Sequence, residues 1–290
     1  MHQANPSTDT IRGFLTVLNP GKCGSSWLAQ ALTIPPFLRF PREFDFVYFL
    51  EFGLERQWNA QTAQDAAFLA VRADDSLDPL QKLRRLYEIE HARHGAGAVL
   101  IDKAPSNCYG GFERYRELYR DTKLVFLHRD PRDVFVSNEF FHQDVIGSRA
   151  ARPDIGDLDY LLNGSVLGNS FTACRRVLEL ERLLRGEGFD CLTTRYEDMK
   201  ADFAREVWRV LDFAGLGLGP DTPVGSRGNE RKTLPLGEHV EAAAGFRPLF
   251  RKGIVGDWRN HLQDERAKQA IKERWGQLLI DLGYESGFDW

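Results

Sequence analysis

Short apolar runs alternate along the chain with longer segments in which apolar residues recur at helical spacing. The apolar runs predict strands at Arg12–Leu18, Ala98–Ile101, Lys123–His128 and Cys191–Thr194. The helical spacing predicts helices near 27–32 (with Ser25 and Ser26 as candidate caps), Asp78–His94, Gly111–Arg120, Pro131–Phe141, roughly 157–186, 199–214 and Gln263–Leu282. Two segments lack a clear period: the aromatic-rich residues 37–58 predict a loop or short helices, and the Gly- and Pro-rich residues 215–237 predict a long loop.

Strands that alternate with helices predict an α/β fold, in which a parallel sheet is covered by helices on both faces. No repeat and no linker-like segment interrupts the pattern, so we expect residues 1–290 to form a single domain. Residues 1–11 precede the first strand and are expected to be a flexible N-terminus.

The composition and the spacing of particular residue types argue against several classes of protein. The 290 residues carry 38 Lys and Arg against 42 Asp and Glu, a formal net charge of −4, which argues against a nucleic-acid-coating surface. The four cysteines form no CxxC pair, which argues against a zinc site or a disulfide framework. The chain shows neither a signal-peptide layout nor the roughly 18 consecutive apolar residues of a membrane span. We therefore expect a cytoplasmic protein with neither a nucleic-acid nor a membrane partner.

The first segment with chemical potential is the turn between the first strand and the first helix, GKCGSSW at 21–27. Small residues allow successive N–H groups to face one point, and Lys22 with two hydroxyls would complete an oxyanion-binding nest. The segment is not a Walker A loop, because Thr16 stands where that motif requires its first Gly and Cys23 follows the lysine. By itself, the segment is equally compatible with an ordinary tight turn.

The second segment follows the strand KLVFLH. Arg129 ends this strand and Ser137 follows in the next helix, so both are placed near the crevice where α/β proteins bind ligands. The alternative is a surface network in which Arg129 and Arg132 pair with Asp130 and Asp133.

The third segment lies between Arg247 and Asn260. It contains an excess of cations over one acid, Asp257, in a chain that is acidic overall, and its glycines favour a loop that can approach a ligand closely. The cations are Arg247, Arg251, Lys252 and Arg259. A solvated basic loop is the alternative.

Four segments in order resemble the signatures of the sulfotransferases that use 3′-phosphoadenosine 5′-phosphosulfate (PAPS). They are GKCGSSWL, KLVFLHRDPRDVFVS, YEDMK at 196–200 and RKGIVGDW. Their order and approximate spacing agree with the family over residues 12–260. The resemblance implies a three-layer fold related to the P-loop kinases, PAPS as donor, 3′-phosphoadenosine 5′-phosphate (PAP) as product, and no requirement for a metal.

The resemblance also implies roles for individual residues. The loop that holds the 5′-phosphosulfate corresponds to Lys22, Cys23, Gly24, Ser25, Ser26 and Trp27. The grip on the 3′-phosphate corresponds to Arg129, Ser137, Arg251, Lys252 and Gly253. Trp27 and Tyr196 match positions beside the adenine. Ser137 is further expected to hold Lys22 while no acceptor is bound.

Two segments bear on the reaction. PREFDF at 41–46 resembles the P-K-E-x-x-F stretch of heparan-type and many bacterial sulfotransferases, in which the glutamate, here Glu43, is the catalytic base. IDKAPSN at 101–107 resembles their E-K-[ST]-P segment, whose lysine, here Lys103, lies near the transferred group, although Asp102 and Ala104 depart from the pattern. The phenol- and steroid-type enzymes instead use a histidine in this region.

Since no histidine occurs between His94 and His128, Glu43 is the expected base, with His142 as the second candidate. The structural alternatives are a surface carboxylate paired with Arg42 for Glu43, and a surface lysine for Lys103.

The combined hypothesis is sulfuryl transfer from PAPS to a hydroxyl, or in second place an amine, of a small-molecule or carbohydrate acceptor. The expected catalytic residues are Glu43, Lys22, Lys103 and Ser137, and the expected acceptor-lining residues are Phe44, Phe46, Tyr48 and His142. Bacterial tailoring enzymes share this pattern, so the acceptor is left open. The oligomeric state is also open, because the dimer segment of the cytosolic relatives is not recognisable after Trp258. Two alternatives are a non-catalytic nucleotide-binding module and a P-loop phosphotransferase.

Overall fold

The computed structural model describes residues 12–41, 46–52, 64–95, 97–103, 112–144, 165–226, 229–245 and 253–290. The strands are β1 Phe14–Leu18, β2 Leu38–Arg39, β3 Val99–Asp102, β4 Lys123–His128, β5 Cys191–Arg195, β6 Pro223–Ser226 and β7 Asn229–Pro235. The α-helices are α1 Ser25–Ala31, α2 Phe46–Phe52, α3 Ala66–Ala73, α4 Pro79–His94, α5 Phe112–Tyr115, α6 Pro131–Asp144, α7 Ser165–Gly186, α8 Tyr196–Ala201, α9 Phe203–Ala214, α10 Leu236–Ala244 and α11 Glu265–Asp281. Within the ranges just given, 3₁₀ helices occupy Arg116–Tyr119 and Asp257–Asn260.

Five strands form one parallel sheet in the order β2-β3-β1-β4-β5. Thr16 of the central strand lies opposite Asp102 of β3 on one side and Leu124 of β4 on the other. The carboxyl ends of β1, β3 and β4 therefore meet at one edge, and the residues that follow these strands are brought together there. The predicted α/β class with a parallel sheet is confirmed.

The sheet has a hydrophobic core on each face, and the alternation of side chains along β1 explains why. Leu15 and Val17 belong to one core, whereas Phe14 and Leu18 belong to the other. Successive residues of a strand point to opposite faces, so a strand that is covered on both sides is apolar at every such position. This is why β1, Phe-Leu-Thr-Val-Leu, is apolar at every position except Thr16. Among the helices within the described ranges, none has the length and apolar character needed to span a bilayer.

Residues 215–237 depart from the prediction of a long loop. They contain β6 and β7, which pair antiparallel with an irregularity at Gly225 and Ser226. Val224 is fully buried, and the Gly225 N–H donates to the Pro35 carbonyl at 2.8 Å. Gly and Pro mask a strand pattern in the sequence, whereas contacts with distant residues stabilise the hairpin.

Other differences are smaller. The helix predicted over 199–214 is two helices, α8 and α9, which break at Asp202; its side chain accepts the Arg205 N–H at 3.0 Å and starts the second helix. The irregular segment after residue 37 supplies the edge strand β2 as well as the helix α2.

Candidate active site

A tight loop joins β1 to α1 at the carboxyl edge of the sheet. Gly21, Lys22 and Gly24 have φ values of 83°, 54° and 82°, and Lys22 is the only non-glycine with positive φ in the described part of the chain. The Gly21 N–H donates to Asn19 Oδ1 at 3.0 Å, which closes the turn. Gly24, rather than a serine, is the N-cap residue of α1. The first N–H groups of a helix lack intrahelical acceptors, so the loop can present donors to an anion.

Tyr196, the first residue of α8, packs directly on this loop. A Cβ atom placed on Gly24 would lie 2.8 Å from Cδ2 of Tyr196, closer than real contacts allow. Position 24 therefore needs glycine both for its left-handed backbone and for the close approach of the ring. Tyr196 is 1% exposed.

Arg129 joins three segments that are far apart in sequence. Its Nη1 donates to the Lys22 carbonyl at 2.9 Å, and its Nη2 donates to the Ile254 carbonyl at 3.1 Å. Its Cζ lies 4.2 Å from the centre of the Tyr196 ring. The Arg129 guanidinium thus contacts the β1–α1 loop (the first loop), the start of α8 and the segment that precedes the 3₁₀ helix Asp257–Asn260 (the late loop).

Asp133 binds the late loop next to Arg129. The sequence pattern did not single out Asp133 as a site residue. Its Oδ2 accepts the Gly256 N–H at 2.7 Å and its Oδ1 accepts the Trp258 N–H at 2.9 Å. Its carboxylate also lies 3.6 Å from Arg129 Nη2. Burial raises the pKa of Asp133, and the Arg129 charge and the two N–H donors oppose that shift. The available signal was its position four residues after Arg129, in the first turn of α6.

The predicted pairing of the arginines and aspartates in this segment is present, but it is not a surface network. Arg132 donates to Asp130 at 2.7 Å through Nη2, and Arg132 is only 1% exposed. These ion pairs are therefore part of the scaffold behind the site.

Lys103 follows β3 and is buried, not a surface lysine, with 3% exposure. Its Nζ donates to Ser26 Oγ at 3.2 Å. The register between β1 and β3 places the end of β3 beside the first loop, which explains how Lys103 reaches the start of α1. Two residues that the sequence reading placed near the transferred group are thus in direct contact.

The ammonium group of Lys22 lies over the ring of Phe141 on α6, 2.9 Å from the ring centre. Ser137, the predicted partner of Lys22, lies one turn earlier on the same side of α6 and is half-buried. Lys22 therefore faces the part of α6 that carries Ser137.

Trp27 is a packing residue of this region. Its ring stacks on Phe203 with centroids 3.9 Å apart and planes 8° from parallel, and its Nε1 donates to the Ala243 carbonyl at 3.0 Å. The contact ties α1 to α9 and α10. Its role beside an adenine stays a prediction.

The site has donors that fit a phosphorylated ligand. Within the described ranges, the buried Arg129 Nε and Tyr196 hydroxyl have no hydrogen-bond acceptor. Buried polar groups in folded proteins are normally hydrogen-bonded, so these donors are suited to an incoming anion. With Lys22 and Lys103 nearby, the residues present fit a nucleotide that carries several negative charges.

Several predicted residues lie outside what the structure describes. Glu43, Phe44, Arg251 and Lys252 fall outside the described residues, and the same is true of the side chains of Tyr48 and His142. Gly253 is described and has φ of 64°, next to the carbonyl that Arg129 holds.

Phe46, predicted to line the acceptor site, lies in an aromatic cluster of the core, and its role toward an acceptor stays a prediction. It is fully buried, and its ring packs edge-on against Phe68 and Tyr87 at centroid distances of 5.1 and 5.0 Å. A ring enclosed by other aromatic rings is part of the core.

Comparison with known proteins places the chain in a family context. A family model described as the sulfotransferase domain matches residues 114–282. Mouse sulfotransferase 2A1 is 30% identical over 164 residues, which are 52% of this chain and 54% of the mouse protein. Sulfotransferase 2A1 of Macaca fascicularis is 29% identical over 180 residues, 58% of this chain and 60% of that protein. The chain therefore spans between half and two thirds of the length of these curated relatives.

Solved structures show the same fold. A mouse sulfotransferase complexed with PAP superposes with a TM-score of 0.55 at 16% identity, covering 93% of this chain and 86% of that one. A sulfotransferase from Alicyclobacillus acidocaldarius gives a TM-score of 0.52 at 14% identity, covering 94% of both chains.

Proposed function

The chain belongs to the sulfotransferase domain family, and from that premise we propose that it transfers a sulfuryl group from PAPS to an acceptor hydroxyl and releases PAP. The observation that carries the proposal is the meeting of Lys22, Lys103 and Arg129 at the carboxyl edge of the sheet, where α/β proteins bind ligands. A donor with charges at both its 5′ and 3′ positions needs separated cationic contacts, and this edge supplies them.

The residues around Arg129 are the proposed grip on the 3′-phosphate. Arg129 has one buried N–H without an acceptor, and the Tyr196 hydroxyl beside it is in the same condition. By resemblance, Ser137 and the late-loop residues Arg251, Lys252 and Gly253 join this group. Trp27 and Tyr196 are the proposed neighbours of the adenine.

The first loop is the proposed cradle for the 5′-phosphosulfate. PAPS would supply a sulfuryl group already activated by its phosphate leaving group. Lys22, the loop N–H groups and Lys103 would stabilise the negative charge that develops on the bridging oxygen. Donors fixed before the reaction are effective in this role, and removing one costs about 10²–10³ in rate in comparable sites. The Ser26 contact holds the Lys103 ammonium in place.

Glu43 is the proposed base that takes the proton of the acceptor hydroxyl, with His142 as the alternative. Carboxylates commonly serve as general bases in proton abstraction. The lysines can fill the electrostatic role that a divalent ion fills in phosphoryl transfer, so the proposed mechanism requires no metal. We expect the acceptor to be a small molecule with an apolar part, and a carbohydrate is the second class to screen.

The test is a thermal-shift titration with PAP, AMP and ATP–Mg, followed by a PAPS transfer assay on a panel of hydroxyl acceptors. A ligand that binds the native state stabilises it by about 2.7 kcal/mol at a hundredfold excess over Kd. We expect PAP to raise the melting temperature clearly more than AMP does. A response to ATP–Mg without one to PAP would favour a phosphotransferase. PAP binding with no transfer to any acceptor would favour a nucleotide-binding module.

A further inference from the structure

Residues 284–290, here called the strap, run behind the proposed donor site and contact several of its supporting residues. The Tyr284 hydroxyl donates to Glu197 Oε2 at 3.0 Å. The other carboxylate oxygen of Glu197 accepts the main-chain N–H of Asp130 at 3.2 Å. Because Asp130 directly follows Arg129, Tyr284 supports the carboxylate that holds the backbone next to the proposed phosphate-binding arginine.

A second contact runs from the strap to Arg132. Glu285 Oε1 accepts from Arg132 Nη1 at 2.5 Å, while Nε and Nη2 of the same guanidinium donate to both oxygens of Asp130. Arg132 is almost fully buried, so this arginine depends on the two carboxylates for its hydrogen bonds.

Trp290 provides a third contact. Its ring centre lies 4.7 Å from Cζ of Arg132, and that of Trp258 lies 4.0 Å from the same atom. The two indole rings are 6.3 Å apart and nearly perpendicular. The main-chain N–H of Trp258 donates to Asp133, the residue that also approaches Arg129. The strap therefore contacts the surroundings of Arg129 in two places. One is the β4–α6 junction, and the other is Trp258, just after the late loop.

The charges in this cluster explain why such support matters. The buried carboxylates of Asp130 and Asp133 lie beside Arg129 and Arg132. Burial raises the pKa of Glu197, while the N–H of Asp130 and the hydroxyl of Tyr284 oppose that shift. Loss of one donor or one ring would leave the remaining polar groups to find new partners. The segment that these groups share is 130–132, which directly follows Arg129.

We propose that two residues of the strap are positioning residues of the donor site: Tyr284 and Trp290 hold Asp130 and Arg132, and so fix Arg129 for the 3′-phosphate. This inference rests on the proposed function, since it assigns the strap to the PAP-binding side of that site. Neither residue touches the nucleotide in this proposal. They act through the residues that flank Arg129.

The test compares Tyr284→Phe and Trp290→Ala with the control Phe288→Ala. Phe288 belongs to the strap but is 49% exposed, and its ring lies against Gly276 of α11. The Kd values for PAP and for AMP, which lacks the 3′-phosphate, are measured by calorimetry at a temperature where every variant is folded. We expect the PAP-over-AMP preference to fall about fivefold in each test variant and to be unchanged in the control. Tyr284→Phe loses one hydrogen bond, and Trp290→Ala loses one contact between an aromatic ring and a guanidinium.

The outcomes separate the strap from the proposed function. If the wild-type protein prefers PAP and both folded variants keep that preference, or lose PAP and AMP affinity equally, the strap is only structural and the inference is wrong. If the wild-type protein does not distinguish PAP from AMP, the proposed donor site fails and the inference fails with it. Should Trp290→Ala not fold, Trp290→Phe replaces it, and Tyr284→Phe tests the proposal independently.

Discussion

Arg129 donates a hydrogen bond to the main-chain carbonyl of Lys22 at 2.9 Å, across 107 positions of sequence. The same guanidinium donates to Ile254 in the late loop. The bond joins the loop proposed to hold the 5′ end of the donor to the residue proposed to bind its 3′-phosphate.

Arg129→Lys should weaken PAP binding by about ten- to a hundredfold while AMP binding changes little. Lysine keeps the charge, but its single ammonium cannot reproduce a planar fork that serves two carbonyls and still presents Nε to a ligand. Calorimetry with both nucleotides measures the effect. Arg182→Lys is the matched control, because Arg182 is 57% exposed and pairs with Asp281. Equal losses for PAP and AMP would contradict the 3′-phosphate role.

Lys103→Met should lower kcat by about 10²–10³ and change the PAP Kd by less than tenfold. The substitution keeps most of the buried volume of the side chain but removes the charge that is proposed to stabilise the leaving oxygen. Steady-state kinetics with PAPS and the acceptor identified in the screen would measure it. Lys268→Met, at an exposed ion pair with Glu265, is the control. A kcat equal to that of the wild-type protein would remove Lys103 from the catalytic step.

Gly24→Ala should impair PAP binding and lower the free energy of unfolding more than Gly21→Ala does. Both glycines have φ near +80°, so alanine strains the backbone equally at the two positions, at about 1–2 kcal/mol. Only at Gly24 would the new Cβ meet Tyr196, at 2.8 Å, whereas at Gly21 it meets nothing within 4 Å. Urea denaturation and PAP titration of the two variants isolate this clash. Indistinguishable variants would show that Tyr196 shifts without cost.

Glu43→Gln should preserve PAP binding and abolish transfer, because the neutral amide of glutamine cannot take the proton of the acceptor hydroxyl. His142→Ala should retain measurable turnover. Calorimetry with PAP checks that the donor site of each variant is intact. The dependence of kcat on pH reports the pKa of the catalytic base. An active Glu43→Gln with an inactive His142→Ala would reverse the assignment.

Glu181 should make stability depend on acidic pH. Burial acts to raise the pKa of its carboxyl, but bonds from His128 and Thr193 prevail and lower it from 4.5 to about 2. A carboxyl with a lowered folded-state pKa stabilises the protein above pH 4.5, and this contribution is lost as pH falls toward 2.

We expect the free energy of unfolding of the wild-type protein to be about 3 kcal/mol higher than that of Glu181→Gln at neutral pH. This difference should become smaller as the pH falls below 4.5. Urea denaturation at several pH values measures it, with Glu179→Gln as the exposed control. A gap that does not change with pH would show that the carboxylate charge is not responsible.

The sequence by itself determined the elements whose signals are local. The apolar run of β1 and that of β4 predict buried strands because both faces of the sheet are covered. The Gly-Lys-Cys-Gly turn predicts a tight loop because glycine allows left-handed backbone. The order of the motifs around Lys22, Arg129 and Tyr196 identified the family before any contact was known.

Only the tertiary structure decided which residues support the site and which belong to the core. Asp133 and Tyr284 are polar residues whose roles depend on partners in other segments, Gly256 and Glu197. Phe46 has the same aromatic character as a ligand-contacting residue, yet neighbours from two other helices enclose it. A local sequence pattern shows the hydrophobic period of a strand or helix and the position of a turn. Contacts between distant segments depend instead on how the helices pack on the sheet, and no short window of sequence contains that information.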